Sequence, residues 1–70
     1  MRMTLSLYLQ GLKELHDLLM AQRVEDAERI NDLFDALADG WWGLSEVEKA
    51  VANRQRAGFR EIRQHAGIKE

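Results

Sequence analysis

The sequence predicts an all-α fold: a two- or three-helix hairpin or bundle in one small domain that spans all 70 residues. Three observations predict it. Apolar side chains recur every three to four residues along most of the chain, which is the period of an amphipathic helix. No proline interrupts these segments, and no alternating strand pattern occurs. Ser45 and Glu48, three residues apart, have the spacing of a capping box at a helix start.

The first predicted helix covers residues 5–21, and its apolar surface is unusually wide. One face carries Leu5, Tyr8, Leu9, Leu12, Leu15, His16 and Leu19. Leu7 and Leu18 lie outside that face, beside Gly11. So wide an apolar surface predicts burial on two sides, one inside the chain and the other against a second copy. The predicted self-association residues are Leu7, Gly11, Leu15 and Leu18.

Chain length also favours a homodimer. A domain of this size buries only about 60% of its unfolded surface, so its stability is marginal when it is alone. The chain has no cysteine, so disulfides cannot supply the missing stability. We therefore expect the bundle to assemble as a homodimer through its first helix.

The second predicted helix covers about residues 25–42. Its apolar positions step by three and four in a heptad-like seam formed by Ala27, Ile30, Phe34, Leu37 and Trp41, with Leu33 at its side. The opposite face is acidic, with Glu25, Glu28, Asp32, Asp35 and Asp39. Residues 21–26 are the expected turn before this helix. One continuous helix over residues 5–39 is the alternative, because no glycine or proline lies between Gly11 and Gly40.

The third predicted helix covers about residues 45–64 and begins at the capping box. Gly43 suits a left-handed end to the preceding helix. A thin apolar stripe is formed by Val47, Val51, Phe59, Ile62 and Ala66, and the reverse face carries Lys49, Asn53, Arg56, Arg60 and Arg63. We expect residues 66–70 to fray, as chain ends commonly do.

Charge is divided unevenly along the chain, although the net charge is only −2. Residues 1–48 carry ten acidic and four basic side chains, whereas residues 49–70 carry six basic and two acidic ones. The basic face could contact phosphates, and the acidic face could imitate them. The pattern favours ordinary solvated faces instead, or a basic face that pairs with the acidic face of the second helix in a neighbouring chain. Trp42 is either a lid over the bundle or a binding hot spot. The candidate partner-binding residues are Trp42, Asp32, Asp35, Arg56, Arg60 and Arg63.

Candidates for catalysis, cofactors and metals are weak. Serine and threonine hydroxyls occur only at positions 4, 6 and 45, and Ser45 is better explained as a helix cap. His16, near the apolar seam, is expected to be a packed or interface histidine. Carboxylates in a row on a straight helix point outward and cannot wrap an ion. We therefore predict no catalytic residue, no cofactor and no metal site, and a protein that is not an enzyme.

The segment from Leu37 to Glu48 resembles a Trp-x-x-Leu-Ser-x-x-Glu feature of short bacterial helical proteins of unknown role. The likeness covers about a sixth of the chain, and much of it is the capping box. It implies a bacterial or mobile-element origin and no activity.

These observations predict a non-catalytic helical interaction module that self-associates and binds a protein partner. The alternative is a regulator or inhibitor that binds or mimics nucleic acid. No stretch approaches the roughly 18 apolar residues of a membrane span. The apolar run near the N-terminus is too short and too interrupted for a signal peptide. We therefore expect a cytoplasmic protein without a membrane partner.

Overall fold

A computed structural model, which describes residues 3–68, shows three packed α-helices and confirms the all-α fold. They are α1 (Leu5–Ala21), α2 (Ala27–Trp41) and α3 (Glu46–His65), and the described range contains no strand. α1 packs against both other helices, whereas α2 and α3 make few contacts with each other. The first helix is therefore the centre of the bundle.

The chain turns after α1, so residues 5–39 do not form one continuous helix. Gln22 ends α1 in a left-handed conformation, with φ at 53°. This conformation costs a residue other than glycine about 1–2 kcal/mol. A 3₁₀ turn at Val24–Asp26 then leads into α2, and Arg23 Nε donates a 2.8 Å hydrogen bond to Asp26 within it. The break lies in the segment where the sequence predicts it.

Two helix starts have side-chain caps. The Thr4 hydroxyl accepts a 3.2 Å hydrogen bond from the Leu7 amide at the start of α1. At α3 the predicted capping box is confirmed: the Glu48 amide donates to the Ser45 hydroxyl at 3.2 Å, and the Ser45 amide donates to the Glu48 carboxylate at 2.8 Å. Each cap satisfies a backbone amide that has no partner inside its helix.

The helix ends differ from the sequence prediction at two places. Gly43 was expected to be left-handed, but among residues 3–68 Gly67 is the glycine with a positive φ, 78°. The chain leaves α2 instead through tight turns in which Gly43 and Leu44 donate to the carbonyls of Gly40 and Trp41. α3 ends in an ordered Schellman motif, where the amides of Ile68 and Gly67 donate to Arg63 and Gln64. Residues 66–68 thus form a defined cap where fraying was expected; residues 69–70 lie outside the described part of the chain.

Among residues 3–68, seven buried apolar residues form the core: Tyr8, Leu12, Leu15, Leu33, Leu37, Leu44 and Ala52. On α2 the buried face is rotated from the predicted seam, because Leu33 is buried while Phe34 is 52% exposed. On α3 the predicted stripe is largely outside: Val47, Val51 and Ile62 are exposed, and Ala52 is fully buried instead. α2 and α3 pack against different flanks of α1, and a pattern of apolar positions does not reveal which face of each helix meets it.

No helix within residues 3–68 combines the length and the apolar character needed to cross a membrane.

Candidate partner-binding groove

Contacts at two positions on α1 show how widely α2 and α3 are separated around it. Gly11 faces α2, where a Cβ atom added to it would lie 2.9 Å from the Leu37 side chain. His16 faces α3, where its ring stacks on Phe59 with the centroids 4.4 Å apart. Five residues at 100° each place these two contacts about 140° apart around α1. With each neighbour's axis about 9 Å from that of α1, the axes of α2 and α3 lie about 17 Å apart.

The gap between α2 and α3 is an open groove of about 690 Å³ that follows α1. Leu12, Leu15 and Leu19 of α1 form its floor. Phe34 of α2 lines one side, and α3 lines the other with Asn53, Arg56, Ala57, Arg60 and Arg63. The groove therefore combines an apolar floor with a wall that carries three positive charges.

The groove continues toward the end of α2 as a second hollow of about 330 Å³. The two hollows share Leu12, Leu15, Phe34 and Arg56, so they form one surface feature. The second hollow reaches Trp42, which is 79% exposed. We call the combined feature, from Arg63 at one end to Trp42 at the other, the arginine groove.

One end of the arginine groove is organised around His16. The imidazole is buried and nearly parallel to the Phe59 ring, at an interplanar angle of 17°. Arg63 donates a 3.1 Å hydrogen bond to His16 Nδ1; since guanidinium can only donate, Nδ1 is the acceptor. Burial, and then the positive charge of Arg63, lower the pKa of His16. His16 is therefore a packed neutral histidine at pH 7, which agrees with its expected role.

The other end is organised around two tryptophans. Trp41 is half-buried, and its ring is tilted against Tyr8 with the centroids 6.1 Å apart. Lys49 Nζ lies 5.7 Å from the Trp41 ring centroid and 5.4 Å from that of Trp42, within range of cation–π attraction to both. Burial raises the pKa of the Tyr8 hydroxyl, against the opposing charge of Arg56. This end of the groove is thus aromatic, and the Lys49 ammonium group lies over both tryptophan rings.

An acidic stripe runs along the outer side of α2, next to the groove wall. It consists of Glu28, Asp32, Asp35 and Asp39, all exposed. At 100° per residue, Asp35 and Asp39 lie beside Ala38 and Trp42, which line the groove. One helix therefore presents apolar groove residues and, adjoining them, a row of carboxylates.

The four predicted self-association residues are mostly occupied within the chain. Leu15 is buried in the core, and Gly11 lies under Leu37 of α2. Leu18 is half-buried and packs against the core, which leaves Leu7, at 49% exposure, as the exposed member of the set. The second apolar side of α1 thus meets α2 of the same chain, because Gly11 permits the close approach that was expected of a second copy.

The six predicted partner-binding residues fall into two groups. Arg56, Arg60, Arg63 and Trp42 all line the arginine groove, whereas Asp32 and Asp35 lie on the outer side of α2. Sequence reasoning placed Phe34 in the core and Leu12 and Leu19 in ordinary packing, and so missed the floor and one wall. The width of the apolar face on α1 was the available signal, since it exceeds what two flanking helices cover.

The described residues offer little for other chemistry. The hydroxyls of Thr4 and Ser45 accept their cap hydrogen bonds. Within residues 3–68, no group of three or more His, Cys, Asp or Glu side chains is placed to hold a metal ion.

The chain matches no protein-family model, and comparisons with curated proteins and with solved structures give no significant match.

Proposed function

We propose that this protein is a non-catalytic interaction module that binds one amphipathic helix of a protein partner in the arginine groove. The observation that carries the proposal is the groove itself, an open cavity of about 690 Å³ lined by apolar side chains of α1 and α2 and by three arginines of α3. A fourth helix seated midway between α2 and α3 would lie about 70° around α1 from each. Its axis would then be roughly 10–11 Å from both neighbours, close to ordinary helix packing.

The lining of the groove favours an amphipathic occupant with acidic residues. Leu12 and Leu15 are only 7% exposed, so the partly exposed side chains of Leu19, Phe34 and Phe59 are the apolar contacts that the lining offers. A helix with apolar anchors spaced three and four residues apart could meet them, which is the pattern of helix-in-groove recognition. Arg56 and Arg60 along one wall would face the polar edge of such a helix. Carboxylates at that edge would match these charges and fix the orientation of the helix.

The apolar floor favours a protein helix over nucleic acid. Nucleic acid is bound mainly through its phosphates, so the sequence-based alternative rests on the cations Arg56, Arg60 and Arg63. These arginines line the edge of a leucine floor, and Arg63 is also hydrogen-bonded to His16. A nucleic-acid backbone would leave the leucines uncovered, so this alternative is kept as an outcome of the test.

Site-specific photo-crosslinking in cells that make the protein tests the proposal. Benzoylphenylalanine would replace Phe34 in the groove and, as a matched control, Arg54 on the solvent side of α3. We expect adducts from position 34 alone, mapped by mass spectrometry to a segment with apolar residues at helical spacing and acidic neighbours. Adducts to nucleic acid, or protein adducts of equal yield from both positions, would contradict the proposal.

A further inference from the structure

We infer that the helix bound in the arginine groove is α2 of a second copy of this chain, which makes the protein a two-fold dimer built groove to groove. This inference rests on the proposed function and names its occupant. It differs from the sequence prediction of a dimer through α1, whose second apolar side is covered by α2 of the same chain.

The apolar side chains that α2 exposes have the spacing the groove requires. Phe34, Ala38 and Trp42 follow one another at intervals of four residues, so they form one ridge along the helix. Phe34 is 52% exposed and Trp42 is 79% exposed, although both are large and apolar. All three line the groove of their own chain. Because the ridge borders the groove, two copies can each place their ridge in the groove of the other, and such a reciprocal contact is a two-fold interface.

Charge complementarity selects α2 as the occupant. Asp35 and Asp39 adjoin the apolar ridge and are four residues apart, about 6 Å along the helix axis. Arg56 and Arg60 on the groove wall have the same spacing, so two oppositely charged pairs can form at once. A second copy of α3 in the groove would instead bring arginines against arginines, and such like-charge contact is strongly unfavourable.

The reciprocal arrangement also buries the exposed apolar side chains of both copies in one interface. In the dimer, the two α2 helices lie side by side between the two α3 helices, with one α1 on each face of that layer. Each groove then receives an α2 ridge from the other copy. The result is a six-helix bundle in which Phe34 and Trp42 of both chains are removed from water.

Charge reversal with complementation tests the inference in solution. One variant reverses the charge of the acidic stripe and carries Asp35→Lys and Asp39→Lys. The other reverses the charge of the groove wall and carries Arg56→Glu and Arg60→Glu. Each variant alone places like charges against each other at both halves of the interface. We therefore expect the dissociation constant of its dimer to rise roughly 100-fold. Mixed one to one, the variants place Lys against Glu and Asp against Arg, and we expect a heterodimer.

Light scattering behind size exclusion measures the outcome. The wild-type chain should have a mass about twice 8.1 kDa, each charge-reversal variant about 8.1 kDa alone, and the mixture again about twice that mass. The control variant carries Asp17→Lys and Arg54→Glu, which reverse the same charge types on the solvent sides of α1 and α3, and it should remain dimeric. Circular dichroism establishes that every variant is helical, and Phe34→Ala, which changes no charge, should also weaken the dimer.

Several results would overturn the inference. A wild-type chain that stays monomeric at millimolar concentration excludes the second copy. A dimer that both charge-reversal variants retain uses another surface, and a mixture that stays monomeric shows that the acidic stripe and the arginines do not pair. If the wild type is monomeric while Phe34 still crosslinks to a helix of another protein, the inference fails and the proposed function stands. If nothing enters the groove in either experiment, both fail.

Discussion

α1 is held on its two flanks by different chemistry. Toward α2 the contact is apolar and close: Leu33 and Leu37 are buried, and Gly11 has no side chain to hold Leu37 away. An exposed ion pair between Glu14 and Arg29 adds to this flank. Toward α3 the contact is aromatic and polar, with His16 stacked on Phe59 and accepting a hydrogen bond from Arg63.

The difference teaches how each flank responds to perturbation. Burial of leucine is non-directional and insensitive to pH, so the α2 flank depends on volume and fit. A buried imidazole is tolerated only while it is neutral and hydrogen-bonded, so the α3 flank depends on protonation. Both flanks must hold for the arginine groove to exist, since each one positions a wall.

The largest expected effect is a break of the α2 flank by Leu37→Ala. Removing a buried leucine leaves a cavity over Gly11, and we expect the free energy of unfolding to fall by about 2–4 kcal/mol. Urea denaturation followed by circular dichroism measures this loss. The matched control is Leu7→Ala, at a leucine of α1 that is 49% exposed. An equal loss from both variants would contradict the placement of Leu37 in the core.

A smaller effect is expected from Ser45→Ala, which acts on α3 alone. It removes the hydroxyl that accepts the Glu48 amide, and loss of such a cap costs about 1 kcal/mol. Amide exchange should quicken in the first turn of α3 and remain unchanged in α1 and α2. Ser6→Ala, a serine exposed on α1 that caps no helix start, is the control. Faster exchange spread evenly over all three helices would argue against a local cap.

The α3 flank should also weaken in mild acid. Because burial and Arg63 lower the pKa of His16, the unfolded chain binds a proton more readily than the folded one. Stability from this residue is therefore complete above its ordinary pKa near 6.5 and is lost as the pH falls below that value. We expect the urea midpoint to fall between pH 7.5 and 5.5 in the wild type and in His65→Gln, and to fall less in His16→Gln. Equal pH dependence of the urea midpoint in all three proteins would show that His16 does not cause the loss of stability in acid.

The smallest effect is expected at the ion pair on the α2 flank. Arg29 Nη2 lies 2.6 Å and 2.8 Å from the two carboxylate oxygens of Glu14, but both side chains are about half exposed. Exposed pairs contribute little and are screened by salt. Glu14→Gln should shift the urea midpoint less than Ser45→Ala does, and the shift should disappear in 1 M sodium chloride. A large shift of the urea midpoint that persists in high salt would show that this ion pair contributes substantially to stability.

The local features of this protein could be predicted from its sequence. Helix periodicity, the absence of proline and the Ser45–Glu48 spacing act within a few residues, so they indicate where α1, α2 and α3 form. The exposure of Trp42 and the packed state of His16 follow from their positions relative to the apolar stripes. The arginines of α3 could be recognised as one set because they share a helix face.

Tertiary structure alone decided which faces meet. Neither the broad apolar stripe of α2 nor the thin one of α3 defines a single rotation of its helix. The close contact of Gly11 with Leu37 goes with burial of Leu33 and turns Phe34 outward. The stacking of Phe59 on His16 orients α3 so that Arg56 and Arg60 line the groove. The pattern of apolar residues in one helix shows the helical period, but it does not show where the neighbouring helices pack. The sequence by itself therefore determined the helices, and only their packing around α1 created the groove.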